Sequence, residues 1–475
     1  MSPPRRWPLG HGYEHPLAEQ WSRPGGPWGP DTLDDLLAGP PDLERRVAEV
    51  AGGLAALGVG RGDAVAWQKP NGWLPIALFR ACWRLGAVAC PIHHQAGPAD
   101  VRALLDRLDP AVFLDAEAPA PVGPPVARGR IEPVPPEAVA VALATSGSTG
   151  TPKLALHTHR GLVYKARTMA RVHGLGPGDA VLMPAPFAHI SGLLNGVLLA
   201  ACGMRVVPMA RWDPAHALDL IARERVTFMI GPPTFFVSMI DSADFSPAAV
   251  RTLRQVSCGG AGVTAAFVST ASQALGCRVK RTYGSTEAPT VTTSTLSDPP
   301  SLAAATDGRA VGEAELRVIE TGELWVRGPE LFAGYDDPAA TRAAFAEGGW
   351  FRTGDLATLD GDGWLTIVGR LKDVIIRGGE NISAAEVEGV LEAHPDVRQT
   401  VAVGYPDPRL TERVCAFVVG STGRPFGLDE CRRWFADRGV AKFTWPERVV
   451  QVPSLPLLSS GKPDRAALRR LAANG

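Results

Sequence analysis

Between Leu43 and about residue 280 the chain alternates apolar runs of strand length with stretches of helical spacing, and this alternation restricts the fold more than any other feature. Leu43, Val47, Val50, Leu54 and Leu57 recur at helical spacing and stop at Gly58, which predicts an amphipathic helix closed by a glycine. RGDAVAW then reads as turn and strand. Such alternation predicts an α/β fold, a doubly wound sheet covered by helices. The chain has 475 residues, too many for one ordinary core. After residue 370 the texture changes. Ser383 and Glu386 have capping-box spacing ahead of a helical stripe of Val387, Val390 and Leu391. TVAVG and ERVCAFVVG read as strands, and Leu428, Cys431 and Phe435 mark another helix. The expected organisation is therefore a large N-terminal domain with doubly wound sheets over 1–370 and a small α+β C-terminal domain over 371–475, divided near GRLKD at 369–373. The proline-rich stretch 116–136 reads as an exposed connector.

Charge excludes one class of partner. With 48 basic and 49 acidic side chains, the net charge of -1 supplies no general attraction to nucleic acid or anionic membrane, so any phosphate binding has to be local. The longest apolar passage, GLLNGVLLAACGM from Gly192, is broken by Asn195 and falls short of the ~20 residues a bilayer requires. No membrane span is expected, and no apolar stretch of a secretory signal follows MSPPRRWPLG. The seven cysteines are scattered without a CxxC pair, the usage of reduced core thiols in a cytoplasmic protein.

The segment ATSGSTGTPK, residues 144–153, follows the apolar run AVAVALA and so hangs from the end of a buried strand, where α/β proteins keep ligands. Its glycines let successive backbone amides converge, its hydroxyls add donors and Lys153 adds charge, which suits a polyphosphate. It is not a Walker sequence, which needs four residues between glycine and GK. Composition alone leaves a phosphate loop and a flexible linker both open.

Four further stretches give the context. With TSGSTGTPK, the segments YGSTE (283–287), GWFRTGD (349–355), GRLKDVIIRGGENIS (369–383) and PLLSSGKPDR (456–465) occur in the order and approximate spacing of the adenylate-forming acyl-CoA synthetase superfamily, which the chain resembles from about residue 42 onward. The resemblance implies two half-reactions: a carboxylate attacks the α-phosphate of ATP to give an acyl adenylate and pyrophosphate, and the thiol of coenzyme A then displaces AMP. Two anions must meet in the first step. At about 4 Å their repulsion is about 4 kcal/mol at an effective dielectric of 20, so cations and oriented amides have to neutralise the phosphates.

By that resemblance Thr145, Ser146, Gly147, Ser148, Thr149, Gly150, Thr151 and Lys153 hold the β- and γ-phosphates, Thr286 touches the α-phosphate, and Glu287 with Thr149 binds Mg²⁺, a hard cation that favours oxygen. Tyr283 and Gly284 meet adenine beside Gly260 and Ala261, while Asp355 and Arg370 contact the ribose. Lys462 bridges carboxylate and α-phosphate as a compact point charge, although Leu458 and Pro463 depart from the family pattern around it. Lys372 aligns with the hinge of a mobile C-terminal domain, whose Gly378 and Gly379 line the pantetheine tunnel after rotation. The same two glycines also read as a plain turn before the capped helix.

PFAHISGLLNG, residues 186–196, resembles the segment beside the acyl pocket, with His189 at its mouth. Gating or packing and acid-base chemistry both remain open for this histidine. Ala188 stands where amino-acid-activating relatives carry an aspartate for the α-ammonium, so an amino acid substrate is disfavoured, an unpaired buried ammonium being costly. Phe235 and Phe236 read as pocket wall or as core behind it. The run YGSTEAPTVTTS with TDGRAVGEAELRV looks most like ligases for alicyclic or medium-sized acids, such as cyclohexanecarboxylate-CoA ligase. The expected partners are a small carboxylic acid and either coenzyme A or a carrier-protein phosphopantetheine, in a monomer or homodimer. A non-catalytic member of the fold is the remaining alternative.

Overall fold

The computed structural model describes residues 15–37, 40–129, 131–145, 153–260, 262–421, 423–457 and 463–474. Its chain divides into two compact units: 1–263, 267–316 and 326–352 form the first, and 264–266, 317–325 and 353–475 the second.

The first unit is built on two sheets. Helix α1 (Pro41–Ala56) buries Val47, Val50 and Leu54, and the chain turns away at Gly58 with φ +87°. Strand β1 (Ala64–Trp67), helix α2 (Trp73–Leu85) and strand β2 (Val88–Pro91) follow as a right-length βαβ unit, all eight strand residues being buried. β3 (Val112–Leu114), β4 (Val139–Thr145) and β5 (Lys153–Thr158) complete most of the first sheet. β1, β2, β3 and β4 run parallel, and β5 returns antiparallel to β4. Parallel strands are covered on both faces, which is why AVAVALA is apolar without alternation.

Helix α3 (His159–His173) starts from Thr158, whose hydroxyl accepts the Gly161 amide, and ends on Gly174 in the left-handed region. Beyond it β6 (Ala180–Met183), helix α4 (Ile190–Gly196), β7 (Arg205–Pro208), β8 (Phe228–Gly231), β9 (Gln255–Cys258) and β10 (Arg278–Tyr283) form the second sheet, with β6 to β10 parallel. Short antiparallel strands β11 (Thr292–Thr293) and β12 (Arg309–Ala310) extend its edge. β13 (Gly334–Tyr335) comes back to pair with β5 in the first sheet. One continuous apolar core runs from Val65 and Trp67 of the first sheet through Leu162 and Met169 of α3 to Val181 and Phe228 of the second. Inside this layer Lys165 and Glu330, both without exposed side-chain surface, form an ion pair of 3.4 Å, and Lys165 Nζ also donates to Thr290 O at 2.7 Å. Burial lowers the Lys165 pKa and raises that of Glu330, and each partner opposes the shift of the other.

The proline-rich stretch stays at the surface, none of its described residues being fully buried, yet it is tied to a helix. Its backbone lies directly on α1: Gly123 N donates to Glu49 O and Val126 N to Ala48 O, each at 3.0 Å. This approach depends on Gly52 and Gly53, where an added Cβ would stand 2.0 Å from Pro124 O and 2.3 Å from Pro121 C. Missing side chains on the helix, not charge or polarity on the connector, bring it down.

In the second unit β14 (Leu365–Arg370) pairs antiparallel with residues 355–359. β15 (Val374–Arg377) and β16 (Glu380–Ser383) make a hairpin, and β17 (Val397–Asp407) with β18 (Thr411–Gly420) and β19 (Arg448–Gln451) complete the sheet beside it. Val414, Ala416 and Val418 of β18 pack on one side with Val387 and Leu391 of α5 (Ala384–Glu392) and Phe435 of α6 (Leu428–Asp437). Cys415, Phe417 and Val419 pack on the other with Leu468 of α7 (Arg465–Asn474). Both faces of β18 are therefore covered, the reason for its unbroken apolar run. The serine half of the expected capping box forms, with Ser383 Oγ accepting Glu386 N at 3.4 Å and donating to Val368 O at 2.7 Å.

All seven cysteines are free, five of them buried and Cys202 and Cys277 partly so. Burial raises the pKa of every one, to about 12 for Cys277 and Cys431 and about 11 for Cys415. Among the described residues no helix is long and apolar enough to cross a membrane.

Candidate active site

Thr145 and Lys153 are register partners where β4 and β5 meet, and Thr145 Oγ1 donates to Lys153 O at 3.4 Å. The hydroxyl-rich segment is thus carried by the open end of a hairpin that two buried strands fix in place. Ser146, Gly147, Ser148, Thr149, Gly150 and Thr151 lie outside the described residues, as do Ala261 and Lys462.

Around that hairpin end two predicted residues, Lys153 and Glu287, converge on one that the sequence did not single out. Lys153 Nζ stands 5.0 Å from the centre of the Tyr335 ring, within cation-π range. Tyr335 OH donates to Glu287 Oε1 at 2.7 Å. Burial, reinforced by the negative Glu287, pushes the phenol pKa up, so this hydroxyl stays a donor. Thr286 is held through its carbonyl, 2.9 Å from His157 Nε2. Because burial lowers the His157 pKa to about 4, the imidazole is neutral and its Nε2–H donates to that carbonyl. The pairing of β13 with β5, Tyr335 opposite Ala155, is what delivers the phenol. A lone tyrosine in GYDDP offers no pattern from which this could be read. Asp336 locks the neighbouring turn, accepting Leu154 N and Arg107 Nη2, each at 3.0 Å.

Tyr283 ends β10, and Gly259–Gly260 follow the end of the adjacent parallel strand β9, so the two meet at the carboxyl end of the sheet. Gly259 packs so tightly on Thr282 that an added Cβ would lie 2.4 Å from its carbonyl oxygen. Ser285 N donates to Ala288 O at 2.9 Å, closing the turn that carries Thr286 and Glu287.

His189 is the N-terminal flanking residue of α4. The segment before it is pinned by buried Asn71, which accepts Phe187 N at 2.9 Å and donates to Met183 O at 3.1 Å and Ala185 O at 2.8 Å. Phe236 is fully buried core, whereas half-buried Phe235 stacks on Trp212 at 4.4 Å.

In the second unit Asp355, 2% exposed, is the register partner of Arg370, whose Nε is 2.6 Å from Asp355 Oδ1. Lys372 lies in a short turn held from α7: Arg469 donates to Lys372 O at 3.1 Å and to Asp373 at 2.9 Å. Arg465 bridges Asp373 at 3.6 Å and Glu388 at 2.7 Å. Gly378 and Gly379, with φ +59° and +94°, are the two-residue turn of the β15–β16 hairpin, a conformation that strongly favours glycine. Among the described residues no cluster of three or more His, Cys, Asp or Glu is arranged to hold a metal ion.

The family model of the AMP-binding enzymes matches residues 41–336, and that of the AMP-binding enzyme C-terminal domain matches 386–462. The chain belongs to the AMP-binding enzyme family and, within it, to the AMP-forming acyl-CoA synthetases. It is 31% identical to the medium-chain fatty-acid–CoA ligase of Escherichia coli (strain K12), over 90% of this chain and 84% of that protein. A feruloyl-CoA synthase of Amycolatopsis sp is 33% identical over 90% of this chain and 93% of its own. The ATP-bound crystal structure of MatB from Rhodopseudomonas palustris superposes with a TM-score of 0.82 at 26% identity, covering 90% of this chain and 92% of that one.

Proposed function

We propose that the protein is an ATP-dependent ligase that adenylates an apolar carboxylic acid, alicyclic or of medium chain length, and passes the acyl group to coenzyme A with release of AMP and pyrophosphate. The observation that carries this reading is the Lys153–Tyr335–Glu287 arrangement at the hairpin end. Lys153 and the loop 145–151 receive the β- and γ-phosphates of ATP, and the Tyr283 ring with Gly260, Ala261 and Gly284 receives adenine. Asp355 and Arg370 serve the ribose. Mg²⁺, when bound, neutralises phosphate charge; oxygen donors such as Glu287 and Thr149 suit so hard a cation, and a site without a protein cage takes its other ligands from phosphates and water. Tyr335 aims the Glu287 carboxylate, Thr286 adds a hydroxyl at the α-phosphate, and His189 packs at the acyl mouth. Residues 1–370 are the nucleotide- and acyl-binding domain, and 371–475 the lid that turns at Lys372, presents Lys462 for adenylation and Gly378–Gly379 for thioester formation.

The medium-chain ligase among the relatives supports an apolar acid, and Ala188 supports one without an α-ammonium. ATP-pyrophosphate exchange over a panel of acids, repeated with and without coenzyme A, tests both the acid and the acceptor. Exchange confined to aromatic or long-chain acids sinks the substrate assignment. Lys462→Ala should lose most adenylate formation yet still convert a supplied acyl adenylate to thioester; equal loss of both half-reactions contradicts the two-conformation reading.

A further inference from the structure

Three imidazoles meet in the first unit, brought there by the carboxyl ends of strands in different sheets. His93 and His94 follow β2, and His189 follows β6. The His93 and His94 rings stack at 4.9 Å, and the His93 and His189 ring centres are 5.3 Å apart. The loop bearing the first two is held rigidly: Gln68 Nε2, at the end of β1, donates to Ala96 O at 2.9 Å, His93 O at 3.3 Å and His94 O at 3.4 Å. Ala96 N closes the turn onto His93 O at 2.9 Å.

The tautomer of His93 follows from its bonds. Its Nδ1 accepts the Gln95 amide at 3.0 Å, so in the neutral ring the proton sits on Nε2. Burial lowers the His93 pKa to about 4, and burial with the Arg211 charge lowers that of His94, so both rings are neutral at physiological pH. The Nε2 atoms of His93 and His94 are nevertheless buried with no hydrogen-bond partner among the described residues. A buried donor left unpaired is destabilising, and native proteins keep one chiefly where a ligand or an ordered water takes the bond.

We propose that His93 and His94, beside His189, form a polar station in the acyl site that selects a carboxylic acid bearing one neutral acceptor oxygen, as an oxo or hydroxy group, on an otherwise apolar frame. The inference rests on the ligase reading and on His189 flanking the acyl pocket. The His93 Nε2–H donates to that oxygen, while the apolar remainder of the acid meets the neighbouring carbon surface. An acid with an ammonium at the same place gains nothing, because a neutral donor repels it.

The test measures kcat/KM for ATP-pyrophosphate exchange with cyclohexanecarboxylate against its 4-oxo and 4-hydroxy forms, and with octanoate against hydroxyoctanoates with the oxygen moved along the chain. At least one oxygenated acid should exceed its parent by about tenfold, the equivalent of about 1.4 kcal/mol. His93→Leu should bring that ratio close to one, and His93→Gln, which keeps an N–H donor, should retain most of it. Wild-type enzyme that prefers the parent acids throughout overturns the station without any variant, the imidazoles then holding only water. So does a ratio unchanged in a folded His93→Leu enzyme, including the case in which that variant slows only the transfer of a preformed adenylate to coenzyme A. Exchange with no acid at all overturns the ligase reading together with this one, whereas exchange without oxygen preference leaves the ligase reading standing.

Discussion

Replacing Tyr335 with phenylalanine isolates one bond of the candidate site. The ring keeps its edge contact with Phe332, centres 4.9 Å apart, and its place under Lys153, so only the 2.7 Å donation to Glu287 is lost. A hydrogen bond to a charged acceptor contributes about 1.5–3 kcal/mol. Because Glu287 is only partly buried, solvent replaces some of it, and the lower figure applies, about tenfold in an equilibrium. If the phenol aims the carboxylate at the metal, the Mg²⁺ concentration giving half-maximal ATP-pyrophosphate exchange should rise by about tenfold, as outer partners of metal ligands generally require. Glu287→Gln, which loses the charge itself, should be more severe. The assay is exchange rate against free Mg²⁺ at saturating ATP and acid, with a thermal melt to establish that the variant is folded. An unchanged Mg²⁺ dependence in folded Tyr335→Phe enzyme refutes the orienting role.

Three further outcomes follow from the same physics. Lys165→Met strands Glu330 in the core and should cost about 3–5 kcal/mol in urea unfolding, while Lys165→Met with Glu330→Leu should recover most of it; equal losses in both would mean that the pair is not the source. His157 and His159 are buried with pKa values lowered to about 4 and about 3, so below the ordinary value of 6.5 the unfolded chain holds protons that the folded one does not. Stability should therefore fall as pH drops from about 6.5 toward 4, by up to about 1.4 kcal/mol per pH unit for each, and a flat unfolding profile between pH 7 and 5 would sink this account. Gly53→Ala should destabilise by about 1–3 kcal/mol, since its methyl meets the Pro121 backbone; a melting temperature equal to wild type would show that the connector yields freely.

The sequence reveals local grammar well. The first amphipathic helix, the strand under the hydroxyl-rich loop and the doubly covered strand of the second unit all follow from periodicity, because burial on one or two faces writes itself directly into residue order. The partners of the candidate site are less legible. Tyr335 reaches Glu287 across 48 positions by a two-residue strand, too short to leave a pattern, and the role of His157 depends on a carbonyl 129 residues away. The seat of the connector is illegible for a related reason: what lets its backbone rest on the first helix is the absence of side chains at Gly52 and Gly53. The paired histidines at 93 and 94 carry no period at all, and only the bonds of Gln68 and Gln95 give them direction.

The seven thiols have a consequence for chemistry with activated acids. An acyl adenylate reacts with whichever thiolate reaches it first, and a ligase that makes one beside its own nucleophiles would poison itself. Here five thiols are shut inside the packing, and all seven are biased toward the unreactive protonated form. Internal competition for an activated acyl group is thereby kept low, and alkylating reagents should modify the native enzyme slowly, Cys202 and Cys277 ahead of the others.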